Sequence, residues 1–372
     1  MTKHLRYLFM ILLLLTGLSS KAETEFYRVG DLLYEVDNYW NTAKVVHYDT
    51  YKSFTEVTIP DSISVNGKNY PVTSLRENCF KKCTRLYNIN LPNSITSLGP
   101  SCFEGCKSLM SINIPSSVTS LGDYCFSGCT SLYRITIPDS LQELGNGCFS
   151  GCTDLNRITI PNSVTLLGSD CFNGCTNLVN INMPNFMTSI GPKCFKSCKR
   201  LTRISIPDGV QVLGDECFCG CESLTRITIP SSMSGIRDYG FASCTNLVEV
   251  TCLGQDPPYT NNSFSNKEKI TLYVPESSLE AYKKSWFEWS KFGKILPLSA
   301  SGIKAISKDD INVNSDNGTI TLSNVPNTVP VSVYSTSGQL LGSGRGNISV
   351  SAQGATMVIV KVGGKSYKML LK

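Results

Sequence analysis

One interval governs this sequence. Pro92, Pro115, Pro138, Pro161, Pro184, Pro207 and Pro230 follow one another at steps of 23 residues. Phenylalanine keeps the same step from Phe80 to Phe241, and leucine from Leu86 to Leu247. A unit this short cannot close a core of its own, so it buries its apolar side chains against the units before and after it. A strict period over eight units therefore restricts the chain to a solenoid.

The unit from Ser116 to Pro138 shows how one coil is built. Arg134-Ile135-Thr136-Ile137 alternates polar and apolar residues, the pattern of a short strand with one face in a core. Pro138 stops ladder pairing, and Val118 to Leu121 supply a second extended piece. Gly122 marks a turn, and Asp123 is placed to cap one short helical turn carrying Cys125, Phe126 and Cys129 inward. Eight side chains then face in: Val118, Leu121, Cys125, Phe126, Cys129, Leu132, Ile135 and Ile137. Strands stacked about 4.8 Å apart over eight coils give a parallel sheet roughly 40 Å long.

These units resemble the BspA-type leucine-rich repeat, whose 23-residue coil reads Leu-x-x-Ile-x-Ile-Pro-x-x-Val-x-x-Ile-Gly-x-x-Ala-Phe-x-x-Cys. The match covers about residues 56–253. It implies an α/β solenoid, rich in stacked parallel strands, with adhesion or recognition at a cell surface as its function. One departure is systematic. Where the family usually has alanine before phenylalanine, this chain has Cys79, Cys102, Cys125, Cys148, Cys171, Cys194 and Cys217, with Gly240 in the last unit.

The flanking segments read as ends. Residues 23–75 carry strand-like stretches and the hairpin signal Asn66-Gly67, an N-terminal cap before the solenoid of 76–253. Residues 254–298, with Leu272-Tyr273-Val274-Pro275, Leu279 to Tyr282, Trp286, Trp289, Phe292 and Ile295, look like a closing strand and amphipathic helix over the last coil. Residues 299–309 are a linker. Residues 310–372 alternate strongly, with turns at Asn317-Gly318, Ser337-Gly338 and Gly363-Gly364, as in a small β-sandwich. Val331 to Leu340 and Ser366 to Lys372 resemble the sorting domain of type IX secretion cargo. The family's aromatic after glycine in the penultimate strand is replaced by Ala355-Thr356-Met357.

Residues 1–22 read as a secretory leader. Lys3 and Arg6 precede nine uncharged, largely apolar residues, too few to span a bilayer, and Ser20-Lys21-Ala22 places cleavage after Ala22. No later stretch is long and apolar enough for a spanning helix. Loss of Lys3, Arg6 and Lys21 takes the 34 basic residues to 31 against 29 acidic ones. Such a balance gives no electrostatic case for nucleic acid or an anionic membrane. Of the two histidines, only His47 lies outside the leader, so a multi-histidine metal site is excluded. An exported chain, extracellular or on the outer cell surface and monomeric, is the expectation.

Fourteen of the 17 cysteines form seven Cys-x-x-x-Cys pairs, from Cys79/Cys83 to Cys217/Cys221, all at core positions. Side chains four apart on a helical turn have Cβ atoms about 5–6 Å apart, wider than the roughly 3.5–4.5 Å of a disulfide. The columns tolerate alanine in the resembled family and Gly240 here, which suits small-volume packing. Buried reduced thiols are the reading preferred; bridges between neighbouring coils and zinc are the alternatives. Cys219 and Cys252 fall outside both columns.

Two columns point out of the strand. The first runs Asn88, Ser111, Arg134, Arg157, Asn180, Arg203, Arg226, Glu249; the second runs Asn90, Asn113, Thr136, Thr159, Asn182, Ser205, Thr228, Thr251. Arg134, Arg157, Arg203 and Arg226 are the candidate ligand-binding residues, since a planar guanidinium suits carboxylate, sulfate or phosphate. An ordinary solvated sheet face is the alternative. An extracellular protein or glycan is the expected partner, with no cofactor and no metal. A β-helix polysaccharide-degrading enzyme would need clustered carboxylates. Glu104, Asp154, Asp170 and Glu222 are scattered instead, and Asp215-Glu216 is the only adjacent acidic pair in the solenoid. The chain reads as a non-enzymatic recognition protein, with a purely structural spacer as the competing class.

Overall fold

A computed structural model describes residues 24–298, apart from residue 185, and the strands between 312 and 370. The leader, the linker 299–309, the three C-terminal turns and Ala355-Thr356 lie outside the described residues.

The chain winds into a β-solenoid of stacked parallel strands with little helix. All eight side chains expected to point inward from the Ser116–Pro138 coil are buried. Their burial supplies roughly 1.5–3 kcal/mol for each large apolar side chain. The second extended piece forms a short strand in every coil, such as Ser120–Leu121, which pairs in parallel with Ser97–Leu98.

Phenylalanine forms the spine. Phe80, Phe103, Phe126, Phe149, Phe172, Phe195, Phe218, Phe241 and Phe264 stack with ring centroids 5.1–5.6 Å apart and planes within 11° of parallel. Their separation falls in the range that favours aromatic pairs. Tyr51 covers the first ring at 5.2 Å, and Trp289 and Phe292 close the last at 5.3 and 5.2 Å. Phe264 is 23 residues beyond Phe241, so the period runs on into the segment read as a closing module. There the strands Thr271–Val274 and Lys294–Pro297 extend the ladder of Arg226–Ile229 and Glu249–Cys252. The helix expected in that segment is short, Leu279–Lys283.

The expected helical turn at Asp123 does not form. Tyr124 and Gly128 have φ of 58° and 69°, which breaks any helix into consecutive turns. Alternate N–H groups of the segment bond sideways: the N–H of Phe126 donates to the carbonyl of Cys148 at 2.9 Å, and that of Phe103 to Cys125 at 2.8 Å, while those between them close local turns, Cys129 to Phe126 at 3.1 Å. Asp123 serves the next coil too, its Oδ1 accepting the N–H of Asn146 at 2.7 Å. A helix satisfies its own backbone, whereas a solenoid coil satisfies its neighbour's.

Gly122 is needed for contact rather than for turning. Its φ is ordinary, but a Cβ there would lie 2.3 Å from the nitrogen of Pro100 and 2.6 Å from its Cα. Gly99, Gly168, Gly191 and Gly214 repeat this close approach to backbone along one edge of the stack, and a Cβ at Gly145 would meet the Asp123 carboxylate at 2.6 Å.

At the N-terminal end, Ser62–Val65 and Lys68–Leu75 form the expected hairpin, with positive φ at both Asn66 and Gly67. Thr24–Val29, Leu32–Asp37 and Thr42–Val45 complete an antiparallel cap that joins the solenoid sheet through Lys68–Leu75. The C-terminal region holds one three-stranded and one four-stranded sheet, both antiparallel.

Candidate functional site

The strand face carries the four candidate arginines. Arg134, Arg157, Arg203 and Arg226 are all exposed, and each neighbouring isoleucine is buried, so the alternation read from the sequence holds. Thr136, Thr159, Asn182, Ser205 and Thr228 follow them outward, but Thr251 is buried.

The arginines do not sit on one unbroken sheet. Arg134–Thr136 pairs with Ser111–Asn113, and Arg157–Thr159 pairs with Asn180–Asn182. No ladder joins Arg134–Thr136 to Arg157–Thr159. Arg203 bridges back to Asn180, while Arg226–Ile229 pairs forward with Glu249–Cys252, leaving a second interruption between Arg203 and Arg226. The sequence places both arginine pairs opposite each other across paired strands; the structure places each pair across a break. Like charges facing each other on adjacent strands disfavour pairing. A third break, between Asn88–Asn90 and Ser111–Asn113, carries no arginine, so charge is not its cause.

Each arginine break opens a groove. The first, of about 510 Å³, is lined by Arg134 and Arg157 with Tyr133, Asn156, Thr136 and Thr159, and Asp139 also borders it. The second, of about 610 Å³, is lined by Arg203 and Arg226 with Thr202, Thr225 and Thr228, and by a third arginine, Arg345, at the end of the C-terminal strand Leu340–Arg345. Among the described residues Arg134, Arg157 and Arg203 make no ion pair within 4.0 Å, and Arg226 reaches Glu249 only at 3.6 Å. Tyr133 and Asn156 escaped the sequence reading because they precede the alternating strand. Their signal was the exposed column Tyr87, Met110 and Tyr133, which keeps the same 23-residue step.

The acids that an enzyme would need are engaged one by one with nearby side chains. Glu104 pairs with Lys81 at 2.8 Å, Glu222 with Lys199 at 3.1 Å, and Asp170 accepts from Asn173 at 2.8 Å. Asp154 receives a long bond from Asn177, 3.4 Å. Glu216 of the adjacent acidic pair bonds Lys196 and lies 3.6 Å from Lys193, and the Lys196 ammonium holds its carboxyl below the usual range. His47 turns Nδ1 toward the carbonyl of Cys79 at 3.3 Å. No group of three or more metal-ligating side chains converges among the described residues, and no helix there is long and apolar enough to cross a membrane.

The cysteines are all unbridged, and the seven pairs are buried. Burial pushes the thiols of Cys102, Cys125 and Cys148 far above their usual ionisation range.

Six copies of the BspA type leucine rich repeat region match the chain over residues 46–179 and 167–294, more than half its length. The chain belongs to the BspA-type leucine-rich repeat family. Among solved structures, a leucine rich cell surface protein from Faecalibacterium prausnitzii A2-165 superposes with a TM-score of 0.51 at 19% identity, covering 77% of this chain and 96% of that one. A leucine-rich repeat protein from Bacteroides ovatus gives a TM-score of 0.42 at 20% identity, covering 74% and 91%. The T. pallidum leucine rich repeat protein gives 0.44 at 27% identity, covering 60% and 91%. No curated protein matches. The first likeness supports the leucine-rich repeat fold.

Proposed function

We propose that this BspA-type protein is exported and displayed at the cell surface, and that it acts in recognition or adhesion through the strand face of its solenoid. The observation that carries the reading is the pair of grooves, each holding two arginines from adjacent coils, the second joined by Arg345. Solenoids present extended surfaces to ligands, and the guanidiniums of Arg134, Arg157 and Arg203, held without an ion pair among the described residues, are available to an incoming acid. The leader at residues 1–22 supports export, and the resemblance of the C-terminal strands to a sorting domain supports delivery to the outer surface.

The test replaces Arg134, Arg157, Arg203 and Arg226 with serine together, after circular dichroism and melting confirm the fold. Adhesion of the purified mature chain to host cells or matrix should fall at least tenfold in the variant, and parental adhesion should weaken as salt rises. Unchanged adhesion would exclude the strand face as the recognition surface.

A further inference from the structure

We infer that the ligand of the strand face is an anionic polysaccharide, with one carboxylated or sulfated sugar seated between Arg134 and Arg157 against the ring of Tyr133. This deepens the recognition reading above and rests on it.

Charge comes first. Two guanidiniums from adjacent coils line one groove with no ion pair among the described residues to neutralise them, and Asp139 is the only carboxylate among the residues lining it. That arrangement suits a single anionic group held from both sides. The groove volume of about 510 Å³ falls within the roughly 300–1,000 Å³ of sites that take small-molecule groups.

Stacking surface comes next. Tyr133 is 54% exposed at the groove wall, with Met110 at 51% and Tyr87 at 43% in the same column of the two preceding coils. A large apolar side chain exposed three coils in a row gives ring-shaped ligands a flat surface beside the charges. On the other side, Thr136 and Thr159 offer one hydroxyl per coil, and in the column of Tyr133 the next coil adds the amide of Asn156. A sugar presents an apolar ring face and a fringe of hydroxyls, which this combination matches.

Geometry separates the sugar polymer from an acidic peptide. An extended peptide gains affinity by adding to an exposed strand edge, where backbone groups pair. The strands Arg134–Thr136 and Arg157–Thr159 stay within 8 Å of each other at Cα across their break, too close for a peptide strand to enter at about 4.8 Å per pairing, so side chains on the outward face are the contacts. The two grooves are also three coils apart, Arg134 to Arg203, which is about 14 Å at roughly 4.8 Å per coil. One sugar cannot reach both, so occupancy of both requires a chain lying along the solenoid axis.

The experiment uses the mature chain against hyaluronan, chondroitin sulfate and polygalacturonate, with dextran as a neutral polymer and poly-glutamate as a peptide polyanion. Dissociation constants from biolayer interferometry, alongside adhesion to cells or matrix, give the readout. At least one anionic polysaccharide should bind more than tenfold tighter than dextran and poly-glutamate. The Arg134→Ser/Arg157→Ser variant should lose at least tenfold, and Tyr133→Ala several-fold, while removal of an exposed charge far along the solenoid by Lys294→Ser leaves binding within twofold. If poly-glutamate binds as tightly and Tyr133→Ala has no effect, the partner is an acidic protein and the inference falls. If no polymer binds although the four-arginine variant has lost adhesion, the inference falls and the recognition reading stands. If that variant adheres like the parent, both fall.

Discussion

Cys129 gives its thiol proton to the carbonyl of Phe103 at 3.1 Å, a residue 26 positions earlier on the coil before. The same carbonyl accepts the N–H of Cys106 at 3.0 Å, so both of its lone pairs are used. The bond recurs from Cys106 to Phe80, Cys152 to Phe126, Cys175 to Phe149, Cys198 to Phe172, Cys221 to Phe195 and Cys244 to Phe218, at 3.1–3.2 Å. A disulfide sulfur has no proton to give, so this ladder is specific to the reduced thiol. A thiol reagent should label few cysteines in the native protein and most of them after denaturation without reductant. Labelling that rises only after reduction would place disulfides between the coils.

Those thiols also set an alkaline limit. Burial raises Cys83 from 9.0 to about 12 and Cys244 likewise to about 12, and moves the deeper thiols in the same direction. The folded state therefore holds protons that the unfolded chain releases above about pH 9. Stability from this source is complete below pH 9.0 and falls as pH climbs toward about 12. Melting temperature should be flat in this respect from neutral pH up to 9.0, then drop steeply. A melting temperature that held steady through pH 11 would contradict thiol burial as drawn here.

The glycine columns separate two costs. Gly122→Ala brings a Cβ to 2.3 Å from the Pro100 nitrogen, a clash with backbone of the preceding coil that side-chain repacking cannot relieve. Gly128→Ala meets Gly105 only at 3.6 Å but must hold φ at 69°. Overpacking costs about 1–3 kcal/mol, and a left-handed alanine roughly 1–2 kcal/mol. Chemical denaturation should find Gly122→Ala the more destabilising of the two. The reverse order would mean that the coils can slide apart at that edge.

Deletion of residues 254–298 should leave the ring of Phe241 and the strand Glu249–Cys252 without cover. It also removes Trp289, whose indole donates to the Pro258 carbonyl at 2.7 Å, and Glu288, which accepts from the Ser263 N–H at 2.7 Å and from Lys267 at 2.9 Å. An uncovered apolar coil with a free strand edge invites self-association. Size-exclusion chromatography should show aggregates. A monomeric truncation with an unchanged melting temperature would exclude a closing role.

What the sequence discloses is whatever repeats. Phe126, Leu132, Ile135 and both cysteines of the coil could be placed in the core because side-chain burial follows the 23-residue step directly. Asp123 misled because a cap residue looks the same whether its acceptor serves its own turn or, as here, Asn146 in the next coil. Gly122 was recognised as special for the wrong reason, since close approach leaves no mark distinct from turning. Phe264 kept the period but followed Pro257 and Pro258, where the flanking template lapses. The breaks between Arg134 and Arg157 and between Arg203 and Arg226 were out of reach, because Ile135, Ile158 and Ile227 read alike whether or not their strands pair.

The phenylalanine spine makes distance along this molecule a whole-number quantity. Its ends are sealed by chemically different rings, Tyr51 and Trp289, whereas every interior junction is Phe on Phe with nearly parallel planes. An in-frame duplication of one coil between Arg157 and Arg203 would thus create another junction of the same kind and disturb neither end. It would move the two grooves one step further apart while leaving the lining of each intact. Selection on such a chain can retune its reach by copying 23 codons, with no change at any residue that lines either groove.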